Sequence, residues 1–159
     1  MHSADGDSGV DAWRGAVRTA SEDVLAGLGM AGIEVRERGA FRVSQGGCGS
    51  LISLVNDDVA LQLAFMSDER GARFLAAAML GLDDGELDTE LVADALCELA
   101  NMVGGLVKSH VTARTTGLRL GLPIHVDGAA VPPTGAVGFE LDFTVSGHPL
   151  RVGVCASAP

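Results

Sequence analysis

The stretch Asp94-Ala-Leu-Cys-Glu98-Leu-Ala-Asn101-Met-Val-Gly-Gly105 decides how the rest of the chain is read. At about 100° per residue, Asp94, Glu98, Asn101 and Gly105 fall at i, i+4, i+7 and i+11, within roughly 60° of arc on one helix face. Val92, Ala95, Leu96, Leu99, Met102, Val103 and Leu106 take the opposite side. One face of this helix is therefore buried, and the other carries a carboxylate and a carboxamide one turn apart, ending in a glycine. A solvated face is expected to be polar, and a Glu and an Asn at i, i+3 arise by chance in many helices. Three details favour a site instead. The stripe has few Lys or Arg partners, Lys108 being the nearest. Asn is a poor helix former. The Gly104–Gly105 pair costs about 1 kcal/mol per glycine relative to Ala, which fits a helix that something approaches closely. Ala93, Cys97, Ala100 and Gly104 add a ridge of small residues on one flank, and the first helix of the chain is its expected neighbour.

Outward from this helix, the totals bound the rest. A chain of 159 residues reads as one domain that buries roughly two thirds of its unfolded surface. Aromatic residues make up only 4%, so Leu, Val, Ala and Met must build the core. A formal net charge of −10 argues against nucleic acid or an anionic membrane surface as partner. Met1 to Gly9 is polar and acidic, without the apolar run of a targeting signal, and residues 1–9 read as a disordered leader to a domain over 10–159. The longest near-continuous apolar run, Phe74 to Leu82, is too short to span a bilayer. Cys48, Cys97 and Cys155 have no metal or disulfide spacing. The default is a cytoplasmic protein.

In chain order, Asp11 to about Leu28 reads as a helix from the recurrence of Val10, Trp13, Val17, Val24 and Leu28, with Gly29 as its stop. Strands follow at Ile33–Val43, Gly49–Val55 and Val59–Phe65, the last two joined by the turn Asn56-Asp57-Asp58. Ser67 is placed to cap a second helix with Asp68 and Glu69 in its first turn, running to Gly81. Asp88 caps the third helix, which continues to roughly Ala113. Three strands close the chain: Leu118–Val126, alternating cleanly with Leu118, Leu120, Leu122, Ile124 and Val126 on one face, then Phe139–Val145 and Leu150–Val154. Pro132 and Pro133 mark a loop between the first two. The fold class is α+β: two halves, each a helix plus three strands, repeat the same order. Antiparallel hairpins form the sheet, and long helices cover one face.

Other constellations are weaker. Ser44-Gln-Gly-Gly-Cys-Gly-Ser50 lacks the ending of a phosphate-binding loop and precedes a strand, so it reads as a structural turn. His2, His110, His125 and His148 have no ligand spacing, and His110 projects onto the apolar side, as a packed or end-of-helix residue. Cys97 reads as a small buried flank residue.

Asp94-x3-Glu98-x2-Asn101-x3-Gly105, about twenty residues ahead of Pro123 in Leu120-Gly-Leu-Pro-Ile124, resembles the signature of the CheX/CheC family of chemotaxis phosphatases. The resemblance covers about residues 10 to 156 in element order. The first helix offers Glu22, but Leu25 stands where a second motif would need Asn, so the chain is similar to the single-motif CheX type. Pro123 lies one residue closer to Asn101 than the family spacing, which bears on the loop after the helix.

The resemblance implies a CheC-like fold and hydrolysis of the aspartyl phosphate on a phosphorylated CheY-type response regulator. On that reading Asn101 orients the attacking water and Glu98 reaches a lysine of the regulator. Asp94 and Gly105 belong to the docking surface. It implies no metal or cofactor in this chain, Mg2+ being carried by the regulator. It also implies a homodimer, for which the edge strand Leu118–Val126 is the candidate contact. Two rival readings stay open: a non-catalytic module that only binds a receiver or motor-like partner, and a structural protein whose stripe is solvated surface.

Overall fold

Short turns between alternating apolar segments force this chain into antiparallel hairpins, since a parallel crossover needs a dozen or more residues. The computed structural model describes residues 5–41, 47–112, 115–132 and 134–157, with side chains from Ala12 onward. The elements are α1 (Asp5–Gly27), β1 (Ile33–Arg38), β2 (Cys48–Val55), β3 (Ala60–Ser67), α2 (Glu69–Leu80), α3 (Thr89–Val111), β4 (Arg119–Leu120), β5 (Ile124–Asp127), β6 (Val137–Val145) and β7 (His148–Ser157). A single 3-10 turn, Asp84–Glu86, separates α2 from α3. In the β2–β3 turn, Asn56 Oδ1 accepts from the N–H groups of Asp58 and Val59, both at 2.9 Å. The β6–β7 turn places Ser146 at φ 49° and Gly147 at φ 83°, the paired left-handed geometry that matches strand twist.

All strands form one antiparallel sheet in the order β1-β6-β7-β3-β2-β4, with β5 continuing beside β2. Exchanging β1 with β4, β2 with β6 and β3 with β7 returns the same order reversed. The repeat expected from element order is thus visible as a pseudo-two-fold, with each half's first strand paired to the hairpin of the other half. The helices cover one face. Phe65, Phe139, Phe143, Leu54, Leu61, Leu63 and Val152 point from the sheet into that layer and meet Val17, Leu25, Leu75, Leu96 and Leu99. A smaller cluster on the opposite face joins Ala64, Met66 and Ala130 with Phe41, Leu51 and Val126.

Several boundaries differ from the sequence reading. Helix α1 begins at Asp5, ahead of the expected Asp11, although Gly6 and Gly9 weaken its intrinsic propensity. Residues 1–4 of the expected leader lie outside the described residues, as do 42–46 at the end of the expected Ile33–Val43 strand, of which β1 ends at Arg38. The cap of α2 is Asp68, whose Oδ1 accepts from Gly71 N–H at 2.7 Å. Ser67 instead ends β3 and donates its hydroxyl to Pro149 O.

The largest correction concerns Leu118–Val126. Leu120 stands opposite Leu54, whereas Ile124 stands opposite Leu51, so four steps on this strand match three on β2. One extra residue is accommodated as a bulge at Leu122–Pro123, where Pro123 has no N–H to give the ladder. Gly121 N–H still reaches Ser53 O at 2.7 Å. The slip reverses the faces beyond it. Leu118 is buried under the helices, while Val126 packs in the cluster on the far side of the sheet. Leu122 and Ile124, expected on the core face, are 88% and 63% exposed.

Candidate functional site

Helix α3 is held in place by its cap, its apolar face and one buried polar contact. Asp88 Oδ1 accepts from Leu91 N–H at 2.8 Å. Of the residues expected on the covered side, Val92, Ala95, Leu96, Leu99 and Val103 are buried and Met102 and Leu106 half-buried, and Val107 joins them. Ser50 Oγ, itself buried on β2, donates to Leu96 O at 2.7 Å and pins the helix to the sheet.

The opposite face presents the stripe. Asp94, Glu98 and Asn101 are exposed, and Gly105 is half-buried. Among the described residues, none of the three side chains has a hydrogen-bond or ion-pair partner. The structure therefore brings all four sequence candidates together along one line, with their polar groups available to something outside the chain. A helix face is convex, and the cleft of about 350 Å³ between Cys48, Asp68, Glu69 and Asp127 shares no residue with it. Such a surface fits a protein partner better than a small molecule enclosed in a pocket. Among the described residues, no group of three or more His, Cys, Asp or Glu could hold a metal ion.

The two glycines serve different sides. A Cβ on Gly104 would stand 2.9 Å from Leu120 Cδ1 and 3.4 Å from Ile52 Cγ2, whereas one on Gly105 meets nothing within 4 Å. Gly104 lets the helix settle on the sheet, and Gly105 leaves the outer surface low. Gly104, the last residue of the small-residue ridge, thus backs onto β2 and β4, while α3 as a whole packs against both β2 and α1, the helix expected beside the ridge. Helix geometry alone could not tell which neighbour the ridge served.

Around the stripe, Cys97 is half-buried, and burial followed by the nearby Asp94 charge pushes its thiol pKa up, so it is a poor nucleophile at neutral pH. Burial pushes Cys155 up to about 11. His110 is exposed in the last turn of α3 and is not packed among the apolar residues. On α1, Glu22 pairs with Arg18 at 3.4 Å and Leu25 is 1% exposed, so these two residues do not form a matching exposed pair. A feature missed in the sequence is the protruding Leu122 beside this helix; the Gly-Leu-Pro run was its only signal.

A family profile described as chemotaxis phosphatase CheX matches residues 49–144, more than half of the chain and all of α3. The chain belongs to the CheX family. No curated protein matches the sequence. Among solved structures, a chemotactic CheC-like protein from Shewanella oneidensis MR-1 superposes with a TM-score of 0.79 at 18% identity, over 92% of this chain and 98% of the other. Chemotaxis protein CheX from Vibrio vulnificus gives 0.74 at 20% identity, over 91% and 99%. A CheX chain crystallised in a CheX–CheY–BeF3–Mg2+ complex from Borrelia burgdorferi gives 0.75 at 18% identity, over 91% and 97%. At these identities the superpositions establish the shared CheC-like α+β fold. No described helix is long and apolar enough to cross a membrane.

Proposed function

We propose that this CheX-family chain accelerates hydrolysis of the aspartyl phosphate on a CheY-type response regulator. The observation that carries the reading is the exposed pair Glu98 and Asn101, without a partner among the described residues and one turn apart on a well-packed helix. The family match and the CheY-containing complex of a fold relative supply the partner class.

An acyl phosphate is already activated, so the missing contribution is position. The Asn101 carboxamide accepts a hydrogen bond from water and holds it in line with the phosphorus and the leaving carboxylate. The water oxygen bonds to phosphorus, the P–O bond to the regulator's aspartate breaks, and inorganic phosphate leaves with the carboxylate restored. Asn101 has no useful basicity and takes no proton. Glu98 pairs with a lysine of the regulator and sets register, Asp94 extends the same contact, and Gly105 keeps the surface low beneath the docked domain. The Mg2+ that neutralises the phosphoryl oxygens belongs to the regulator, and both proteins work in the cytoplasm. The open edge of β5, Ile124–Asp127, is where two copies would pair into a homodimer.

Phosphate release from phosphorylated regulators of the same cell, with and without this protein, tests the reading. Asn101→Ala should lower kcat by about a hundredfold or more with binding retained. Glu98→Ala should weaken binding by roughly ten- to a hundredfold, as expected for a lost charge-assisted hydrogen bond. Full activity in both variants would refute the site. Binding without accelerated decay in the unmodified protein would mark a receiver-binding module instead.

A further inference from the structure

The stripe is too small to hold a regulator by itself. From Asp94 to Gly105 it is about 16 Å long and one helix wide, offering roughly 160 Å², against about 800 Å² per partner in a specific complex. A docked receiver must therefore also rest on what borders α3. On the ridge flank that border is β4 and the bulge. Leu120 Cδ1 lies against the Gly104 position, and Gly104 is three residues from Asn101, about 5–6 Å along the helix surface. Leu122 follows Leu120 by two residues, at most about 7 Å of chain. Among the described residues it is the most exposed large apolar side chain, at 88%.

We infer that Leu122, at the apex of the bulge beside α3, is an apolar docking residue for the same receiver domain that the stripe engages. This rests on the reading of the stripe given above and extends its footprint off the helix. The local backbone favours the role. Gly121 is tied to Ser53 O on one side, and Pro123 restricts Leu122 to extended geometry on the other. The backbone that carries the side chain is thus already fixed, so little backbone freedom is lost when a partner covers it. Its counterpart is an apolar patch on the receiver beside the phosphorylated carboxylate.

The test compares variants for phosphate release and for equilibrium binding to a CheY-type receiver of the same cell loaded with beryllium fluoride and Mg2+. Leu122→Ser should raise KM and Kd about tenfold with kcat unchanged, and Leu122→Met should restore both. The sedimentation coefficient should not change. Unaltered Kd in Leu122→Ser, with Glu98→Ala weakened, would overturn the inference and leave the stripe standing. Weaker binding accompanied by a smaller sedimenting species would assign Leu122 to self-association and also overturn it. If Glu98→Ala and Asn101→Ala were both silent, the functional reading would fall and this inference with it.

Discussion

A methyl group added at Gly105 enters open space, while one added at Gly104 presses on Leu120 and Ile52. Gly105→Ala should therefore recover up to about 1 kcal/mol of helix propensity and raise Tm by roughly 2–4 °C. The same methyl should lift the docked surface and weaken regulator binding, so stability and affinity move in opposite directions. Gly104→Val should instead cost about 1–3 kcal/mol by overpacking the contact with the sheet. Thermal unfolding of both variants, with regulator titration of the first, checks this. The sequence showed that two glycines in a row needed a reason. It could not divide the reason between them, because the division depends on where β2 and β4 lie under the helix. The exposed stripe was more legible. Asp94, Glu98 and Asn101 follow from 3.6-residue periodicity, and the only added information is that no part of the described chain folds back over them.

Helix α3 carries the proposed site, and its N-terminus is closed by the Asp88 carboxylate ten residues before Glu98. Asp88→Ala should lower stability by about 1 kcal/mol through loss of this cap. The site lies about 15 Å away along the helix, so kcat on a phosphorylated regulator should be unchanged. Denaturant unfolding and steady-state kinetics on the same preparation separate the two effects. Cap and helix were readable because Asp88 immediately precedes an amphipathic run. The next element was misread for a related reason. Leu118 to Val126 alternates so regularly that a single straight strand is the natural inference, yet Pro123 cannot donate to the ladder. One inserted residue then exchanges inside for outside, leaving Ile124 on the surface and carrying Val126 to the far face. A proline inside an alternating run was the warning. Local pattern gave no means of choosing between an interrupted strand and one that bulges and continues.

Across the whole molecule, the pseudo-two-fold relates α1 to α3; matched end to end, these two 23-residue helices set Arg14 and Val17 against Glu98 and Asn101, while the glutamate of α1, Glu22, has Leu25 three residues on. Leu25→Asn would restore the Glu-x-x-Asn spacing on α1 without making a second site, because Leu25 is 1% exposed in the core. The expected result is a loss of about 3–5 kcal/mol, from the deleted apolar contact and a buried carboxamide. In an Asn101→Ala background it should recover no phosphatase activity. Chemical denaturation and a phosphate-release assay measure these directly. The duplication itself was legible from element order. The exchange of edge strands was not, since it is fixed by pairings such as Ile33 with Val145 that span most of the chain. That exchange bears on how the protein is made. In order of synthesis β7 comes last, yet it occupies the middle of the sheet between β6 and β3. While a ribosome is still adding His148–Ser157, the sequence of α3 has already been made and the two halves of the sheet beneath it are not yet joined. The nascent chain must keep an apolar helix face away from its neighbours until the final strand closes the sheet.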